Sequence, residues 1–393
     1  MRAEGRGAAV SFFADLVRHP RRLWLRRAVF QVHLWLGILL SLYVVLIALS
    51  GSLLVYHDAL TRRTLPTGLG VYDPAHRADV SAVVASARSA FPLSTIESLN
   101  TPTARLPVFE LDMLDPQGRP FHAVGDAETG RVALLPRSWV DVVYDFHTEL
   151  LLGAAHGMQW NGAGAAALLV LAVSGLALWW RGVGSWWRGL GVSLRRGWRR
   201  VNFDLHHAIG FWTLLLVSWW AISGVYFAWY APFTAVVNAV SPLVGAKEPS
   251  PRVPPTTHAE VRLRDVVATA QAASPHGTLR SLSNPGLVPG QDVYAYMNLR
   301  APEDFWHADV VHIDTRTGAV VSVWHYGENH SAGDWFVWAM QPLHYGTVWG
   351  PWVRLLWCLL GVSLAVLTVT GLLMYWNRFL RSRWRGLVGL RAR

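Results

Sequence analysis

Two pairs of histidines stand at matching positions in the two halves of this chain. The stretch "QVHLWLG" aligns without a gap with "DLHHAIG", which pairs His33 with His206. Counted back from the glycines of "GLALWWR" and "GLLMYWNR", His147 meets His344 to within one residue. These histidines lie beside long apolar runs, where polar side chains are costly and commonly functional. Because imidazole nitrogens ligate metals and haem iron, the spacing suggests metal or haem binding.

The pair His33 and His206 is predicted to lie near one membrane face, because each residue follows an arginine-rich stretch and begins an apolar run. A two-fold axis would make the two imidazoles face each other, as an iron with two axial imidazoles requires. Gly37 and Gly210 follow on the same helix faces and leave room for a flat macrocycle. We therefore predict that His33 and His206 are axial haem ligands. Interfacial histidines that extend to the headgroups are the alternative.

The pair His147 and His344 is predicted to form a second ligand layer near the opposite face. Residues 33 and 50 of the first apolar run are 17 positions apart, or about 25 Å of helix. Two haems near opposite faces would therefore form a two-step electron path. Histidines of a soluble domain at the membrane surface are an equally good interpretation of this pair. The spare ligands are His156, His207 and His57.

The composition is that of a membrane protein, since 52% of the 393 residues are hydrophobic and only 15% are charged. Arginines cluster before the first apolar run, in the short loop after the second and past the fourth. By the positive-inside rule, both termini and this loop are predicted to be cytoplasmic, and the two long segments periplasmic. The net charge of +10 is then a topology signal, and no nucleic-acid partner is expected. The single cysteine, Cys358, excludes an internal disulfide.

The fold class predicted is an α-helical membrane protein with four transmembrane helices, a two-fold pseudo-repeat and two small periplasmic α+β domains. Each outer domain carries a tight-turn signal, "GDAETGRV" or "HIDTRTGAV". A proline-rich stretch at 249–255 is expected to tether the second domain. No interrupted helix pair is evident, and Ser50–Gly51 and Ser223–Gly224 are expected to be helix-packing contacts. The predicted order is a cytoplasmic N-terminus (1–29), TM1 (30–56), outer domain 1 (57–144), TM2 with an outer extension (145–181), a cytoplasmic loop (182–203), TM3 (204–230), outer domain 2 (231–333), an interfacial segment with TM4 (334–377) and a cytoplasmic tail (378–393).

This ordered combination resembles the PepSY-associated transmembrane family over nearly the whole chain. The "D-x-x-T-G" turns resemble the end of PepSY domains, and the His-x-x-x-Gly helix starts resemble the membrane motifs of that family. The size and the two-PepSY layout resemble FoxB-type inner-membrane siderophore reductases. The resemblance implies haem b, with two haems expected, and reduction of a ferric siderophore in the periplasm of a bacterium.

The segment before the fourth apolar run is predicted to receive the substrate. An aromatic shelf would hold a bulky ferric chelate, with polar groups at its rim; the residues are Trp335, Trp338, Tyr345 and Trp349, with Glu328 and His330 at the rim. An amphipathic helix on the lipid bilayer is the alternative. Because no nicotinamide or flavin fingerprint is evident, the expected electron donor is a quinol or a cytoplasmic reductase.

Two other function classes and one other cofactor stay open at the level of sequence. The outer domains resemble propeptide modules, so the chain would then be a membrane-anchored binding or regulatory protein without redox activity. A siderophore permease is the other class. Bare copper is the alternative to haem, because imidazole also suits copper.

Overall fold

The computed structural model describes residues 24–69, 73, 77–243, 261–288, 290–300, 306–328, 331–381 and 384. Arg18, Arg21 and Arg22, the proline-rich stretch at 249–255 and His330 lie outside the described residues. The chain divides into two compact units. The membrane unit comprises Met1–Val55, Val143–Phe233 and Arg354–Arg393, and the sheet unit comprises Tyr56–Val142 and Thr234–Val353.

The membrane unit contains the apolar helices. Within the described residues, three are long and apolar enough to cross a bilayer: the first span, Leu25–Leu54, the second span, Gly157–Trp179, and the fourth span, Pro351–Leu380. The fourth span is an α-helix over Pro351–Tyr375 that ends in a π-helical turn, Trp376–Leu380. A bent pair, Gly197–Trp212 and Leu214–Ala228, makes a possible third span. The apolar runs form helices because the bilayer offers no water to hydrogen-bond the backbone N–H and C=O groups, which a helix pairs internally.

The third span is broken, which corrects the prediction of an uninterrupted helix. Its two halves meet at an angle of 61°. Thr213 lies at the break, and its hydroxyl donates to the carbonyl of Ile209 at 2.8 Å. A threonine side chain that bonds back to its own helix competes with the backbone ladder and bends the helix.

Side chains near the middle of the first, third and fourth spans pack against one another. Their buried cluster consists of Val44, Ala48, Val217, Leu364 and Ala365. Outside the spans, the unit holds the 3-10 turn Trp186–Gly189 and the second half of the helix Trp139–Glu149. Asn161 of the second span donates to the carbonyl of His147 at 2.6 Å. This bond ties the end of the helix Trp139–Glu149 to the spans.

The sheet unit is built on eight antiparallel strands in the order β4-β3-β2-β1-β5-β6-β7-β8. They are β1 (Thr95–Asn100), β2 (Val108–Leu114), β3 (Pro120–Asp126), β4 (Val132–Leu134), β5 (Thr278–Ser283), β6 (Val293–Asn298), β7 (Ala308–Ile313) and β8 (Val320–Trp324). The helices of the unit are His57–Arg62, Val80–Ala90, Leu263–Ala273, Ala332–Tyr345 and most of Tyr230–Val240. Each half of the chain therefore contributes one helix followed by a four-stranded meander, as the repeat predicted.

The two meanders form one sheet, which differs from the prediction of two separate small domains. β1 pairs with β5, with Leu99 opposite Leu282. This pairing converts two exposed edges into an internal ladder, and exposed edges invite aggregation. The helices Val80–Ala90 and Leu263–Ala273 share one apolar core with the sheet, to which Leu99 and Leu282 both belong.

The repeated Asp-x-x-Thr-Gly sequences form tight turns, as predicted. Asp126 accepts hydrogen bonds from the backbone N–H and the hydroxyl of Thr129, each at 2.8 Å. Gly130 follows at φ 68°, and Gly318 of the second turn at φ 69°. Glycine adopts this left-handed conformation without a Cβ clash, so both turns reverse within a few residues.

Candidate functional site

His33 of the first span and His206 of the third span face each other inside the membrane unit. Their ring centroids lie 6.4 Å apart, and their planes cross at 87°. Two metal–nitrogen bonds of about 2 Å each, together with the half-widths of the two rings, account for this separation. The pair predicted from the repeat thus has the spacing that a single metal between two imidazoles requires.

Each imidazole uses its Nδ1 atom for a hydrogen bond to a neighbouring span. His33 Nδ1 lies 2.9 Å from the hydroxyl of Ser174. His206 Nδ1 lies 3.1 Å from the hydroxyl of Thr370 and 3.0 Å from the carbonyl of Leu367. Metal-binding histidines commonly engage their second nitrogen in this way, which fixes the ring orientation. The Nε2 atoms are therefore the ones available for a ligand.

Glycines give the two imidazoles their space. A Cβ atom built on Gly175 would lie 3.2 Å from Cε1 of His33, and one built on Gly371 would lie 3.1 Å from Cε1 of His206. Both distances are shorter than ordinary contacts, so any larger residue would push on the ring. Gly37 and Gly210, predicted to leave room for a macrocycle, line the same cavity.

The cavity around the histidine pair has a volume of about 1010 Å³. This volume is at the upper end of the range for cofactor and ligand pockets. Most of its lining residues are apolar side chains or glycines, and leucine is the commonest of them. Its polar groups include Asn202 and the arginines Arg26, Arg27, Arg181, Arg199 and Arg378. An apolar slot with cationic side chains suits a flat organic group that carries carboxylates.

Within the described residues, no cluster of three or more His, Cys, Asp and Glu side chains has the geometry to hold a metal ion. Bare metal sites usually take three or four protein ligands. Two facing imidazoles instead suit a metal whose other ligands come from a macrocycle.

His147 is held like the first pair, although it lies in the short helix Trp139–Glu149. Its Nδ1 atom lies 3.0 Å from the hydroxyl of Ser50 on the first span. A Cβ atom on Gly51 would lie 2.8 Å from Cε1 of His147. Ser50–Gly51 therefore receives a histidine, which corrects the prediction of a helix-packing contact. Gly224 does pack against a helix, since its Cβ would lie 2.8 Å from that of Ala165.

The other predicted ligands have different surroundings. His344 is near the end of the helix Ala332–Tyr345 in the sheet unit, and His156 is exposed just before the second span. His207 lines the cavity, but its Nδ1 atom lies 3.1 Å from the carbonyl of Phe203. Burial lowers the pKa of His57, yet Asp58 and the more distant Glu110 and Asp141 outweigh it and raise that pKa.

Asp204, the first residue of the stretch "DLHHAIG", forms an ion pair next to the histidine cavity. It lies inside the helix Gly197–Trp212 and is buried. Its carboxylate pairs with Arg200, whose Nε atom is 3.0 Å away. It also accepts a bond of 3.3 Å from the backbone N–H of Ser193. The bond from Ser193 ties the loop before the third span to the buried carboxylate of Asp204, while the paired Arg200 side chain is partly exposed.

Two of the residues predicted to hold the substrate belong to an aromatic cluster in the sheet unit. The ring of Trp338 lies 4.0 Å from that of Trp324, and the ring of Trp335 lies 6.0 Å from that of Trp306 and 5.6 Å from that of Tyr326. The other predicted residues, Tyr345, Trp349 and Glu328, are exposed. Of these partners, Trp306, Trp324 and Tyr326 were missed by the sequence analysis.

The membrane helices, the antiparallel sheet and the paired-histidine cavity define a membrane protein with an internal cofactor-sized site. A family model described as the PepSY-associated TM region matches residues 30–378. The chain therefore belongs to this family of membrane proteins. No curated protein matches the sequence significantly.

Proposed function

We propose that this protein is a haem-containing reductase of the bacterial inner membrane. It passes electrons across the bilayer and reduces a ferric siderophore, Fe³⁺ to Fe²⁺, in the periplasm. The observation that carries the proposal is the facing pair His33 and His206, 6.4 Å apart in a large apolar cavity. Bound haem supplies one-electron redox chemistry, and the protein supplies ligands, burial and orientation.

The cavity offers this haem a complete environment. His33 and His206 would hold the iron through Nε2. Gly37, Gly210 and the leucines beside them would flank the macrocycle. Carboxylates of the haem would meet arginines at the cavity wall, among them Arg199 and Arg378. Arg378 already lies over the ring of Phe30, with 5.3 Å between its Cζ atom and the ring centroid.

A second haem with His147 as a ligand is proposed from the sequence repeat, which pairs His147 with His344. The support for His147 is its contact with Ser50 and Gly51, which matches the contact of His33 with Ser174 and Gly175. Residues 33 and 50 of the first span are about 25 Å apart at helical rise. With one iron atom near the level of residue 33 and another near the level of residue 50, an electron would cross the bilayer in two transfers.

The direction of transfer follows from the proposed topology. Arginines in the loop 182–203 and beyond the fourth span support a cytoplasmic location of the His33 side. A quinol or a cytoplasmic reductase would deliver electrons there. The ferric chelate would bind on the periplasmic side, where Trp335 and Trp338 offer aromatic surface.

Reduction of a ferric siderophore tests this function. The purified protein is reduced, freed of excess reductant and mixed with a ferric trihydroxamate siderophore and a ferrous chelator. We expect one ferrous ion for each electron lost by the protein. His33→Ala and His206→Ala should each lower the yield to about half, because each removes a ligand of one of the two proposed haems. His276→Ala, which removes an exposed histidine of the sheet unit, is the matched control.

Three outcomes, one of this experiment and two of companion binding and transport assays, would contradict the proposal. A haem-loaded protein that reduces no ferric siderophore would not be a reductase of this class. A colourless protein that binds a peptidase would be a binding or regulatory protein. Transport of an intact labelled chelate into vesicles without iron reduction would indicate a permease.

A further inference from the structure

Three histidines of the membrane unit are held by the same arrangement of residues on a neighbouring span. It consists of a backbone carbonyl, a hydroxyl side chain three residues later and a glycine directly after that. We call this arrangement the imidazole cradle. The cradles are Leu171, Ser174 and Gly175 at His33; Leu367, Thr370 and Gly371 at His206; and Ile47, Ser50 and Gly51 at His147.

The hydrogen bonds of the cradle have a fixed direction. Ser174 donates its hydroxyl hydrogen to the carbonyl of Leu171 at 3.1 Å, and Thr370 donates to the carbonyl of Leu367 at 2.7 Å. A hydroxyl has only one hydrogen to donate. When that hydrogen points at the helix carbonyl, the hydroxyl accepts from the imidazole, and the imidazole then carries its hydrogen on Nδ1.

A second contact leads to the same tautomer at His206. Its Nδ1 atom also lies 3.0 Å from the carbonyl of Leu367, and a carbonyl oxygen can only accept. Nδ1 therefore carries the hydrogen, and the lone pair is on Nε2. Ser50 repeats the pattern at His147, since it donates to the carbonyl of Ile47 at 3.1 Å.

The glycine of each cradle limits where the ring can lie. At Gly175 and Gly371 the imidazole Cε1 atom occupies space that a Cβ atom would need. The hydrogen bond acts on Nδ1 and the close contact with the glycine acts on the adjacent ring atom, Cε1. Together these two interactions restrict rotation of the imidazole ring. The two rings consequently stand at 87° to each other.

We propose that Ser174 and Thr370 are positioning residues that set the tautomer and the crossed orientation of His33 and His206. The hydroxyls hold the hydrogen on Nδ1 and present both Nε2 lone pairs to one haem iron. They also make the imidazoles more basic ligands, which stabilises ferric over ferrous iron. This inference rests on the proposed function, since it needs haem in the cavity.

The test uses near-isosteric variants that remove one hydroxyl each, Ser174→Ala and Thr370→Val, in the full-length haem-loaded protein. Each variant should raise the midpoint potential of the haem proposed between His33 and His206. Without the hydroxyl the imidazole is a less basic ligand, and a less basic ligand stabilises ferric iron less relative to ferrous iron. The ferric electron paramagnetic resonance signal should lose the large highest g value that crossed imidazole planes give. Haem affinity should fall on the order of 10- to 100-fold.

Two sets of variants separate positioning from folding. Ser174→Thr and Thr370→Ser keep the hydroxyl and should restore the potential and the resonance signal. Ser363→Ala removes a hydroxyl that donates to a carbonyl of the same fourth span, Leu360, at 2.6 Å. Because Ser363 is not part of an imidazole cradle, this control should leave both readouts unchanged.

The outcomes distinguish this inference from the proposed function. A wild-type protein that takes up no haem overturns both. A haem-loaded wild type whose hydroxyl-free variants keep its potential, its resonance signal and its haem affinity overturns the positioning role alone. Equal shifts in Ser363→Ala would also overturn it, because they would reflect the fold of the span.

Discussion

At the scale of single residues, the histidines were visible in the sequence and their partners were not. The repeat pairs His33 with His206, and the structure brings these two rings to 6.4 Å. Ser174 and Thr370 are ordinary span residues in the sequence. The sequence does not distinguish a hydroxyl residue that bonds only to its own helix from one that also contacts a histidine. The signal available was the recurrence of a Ser/Thr–Gly step in several spans.

The glycines after these hydroxyls carry a prediction of their own. Gly175→Ala and Gly371→Ala should lower haem occupancy several-fold, because the new Cβ atom would lie 3.2 Å or 3.1 Å from an imidazole carbon. The same substitutions remove a glycine from a helix interior, which by itself stabilises a helix by about 1 kcal/mol. Two quantities are measured: the ratio of haem to protein after purification, and the thermal stability of the haem-free protein.

Gly184→Ala is the control for this prediction, since a Cβ atom there would meet nothing within 4 Å. Full haem occupancy in both cradle variants would show that the imidazoles have room to move. Loss of haem together with loss of stability would show that the glycines serve helix packing instead.

At the scale of elements, local signals were sufficient for turns and insufficient for the bend. The Asp-x-x-Thr-Gly turns were predictable because every contact lies within five residues of sequence. The break in the third span was not, because a single threonine inside an apolar run usually leaves a helix intact. Ser50–Gly51 was taken for a packing motif because its partner, His147, is distant in sequence.

The turn at Asp126 gives a prediction with a pH dependence. Burial raises the pKa of this carboxyl, but hydrogen bonds from Thr129 and Glu128 outweigh burial and hold the pKa below its ordinary value. The stabilisation is complete above the unfolded value of about 3.9 and is lost as the pH falls through the lower folded value. At pH 7, Asp126→Ala should therefore raise hydrogen exchange at 120–134.

The matched control for this turn is Glu128→Ala, which leaves the backbone N–H bond to Asp126 in place. Hydrogen exchange followed by mass spectrometry is the measurement. Exchange at 308–324, the corresponding hairpin of the other half, should not change. Unaltered protection of 120–134 in Asp126→Ala would show that the strand pairing alone holds the hairpin.

At the scale of the whole molecule, the repeat could be recognised in the sequence. The joining of the two meanders into one eight-stranded sheet could not be predicted from it. Both halves carry a helix and a four-stranded meander, which agrees with the α+β character that was predicted for each half. The pairing of β1 with β5 joins segments about 180 residues apart, and edge pairing leaves no local trace in sequence. The family match over residues 30–378 spans both halves and both kinds of unit.

The central claim is that His33 and His206 hold a haem, and a visible spectrum of the detergent-purified protein tests it most directly. The reduced-minus-oxidised spectrum, with pyridine extraction to count haem per chain, should show b-type haem, two per chain. The double variant His33→Ala, His206→Ala should lose one of them. A colourless protein that also fails to take up added haem would contradict the account.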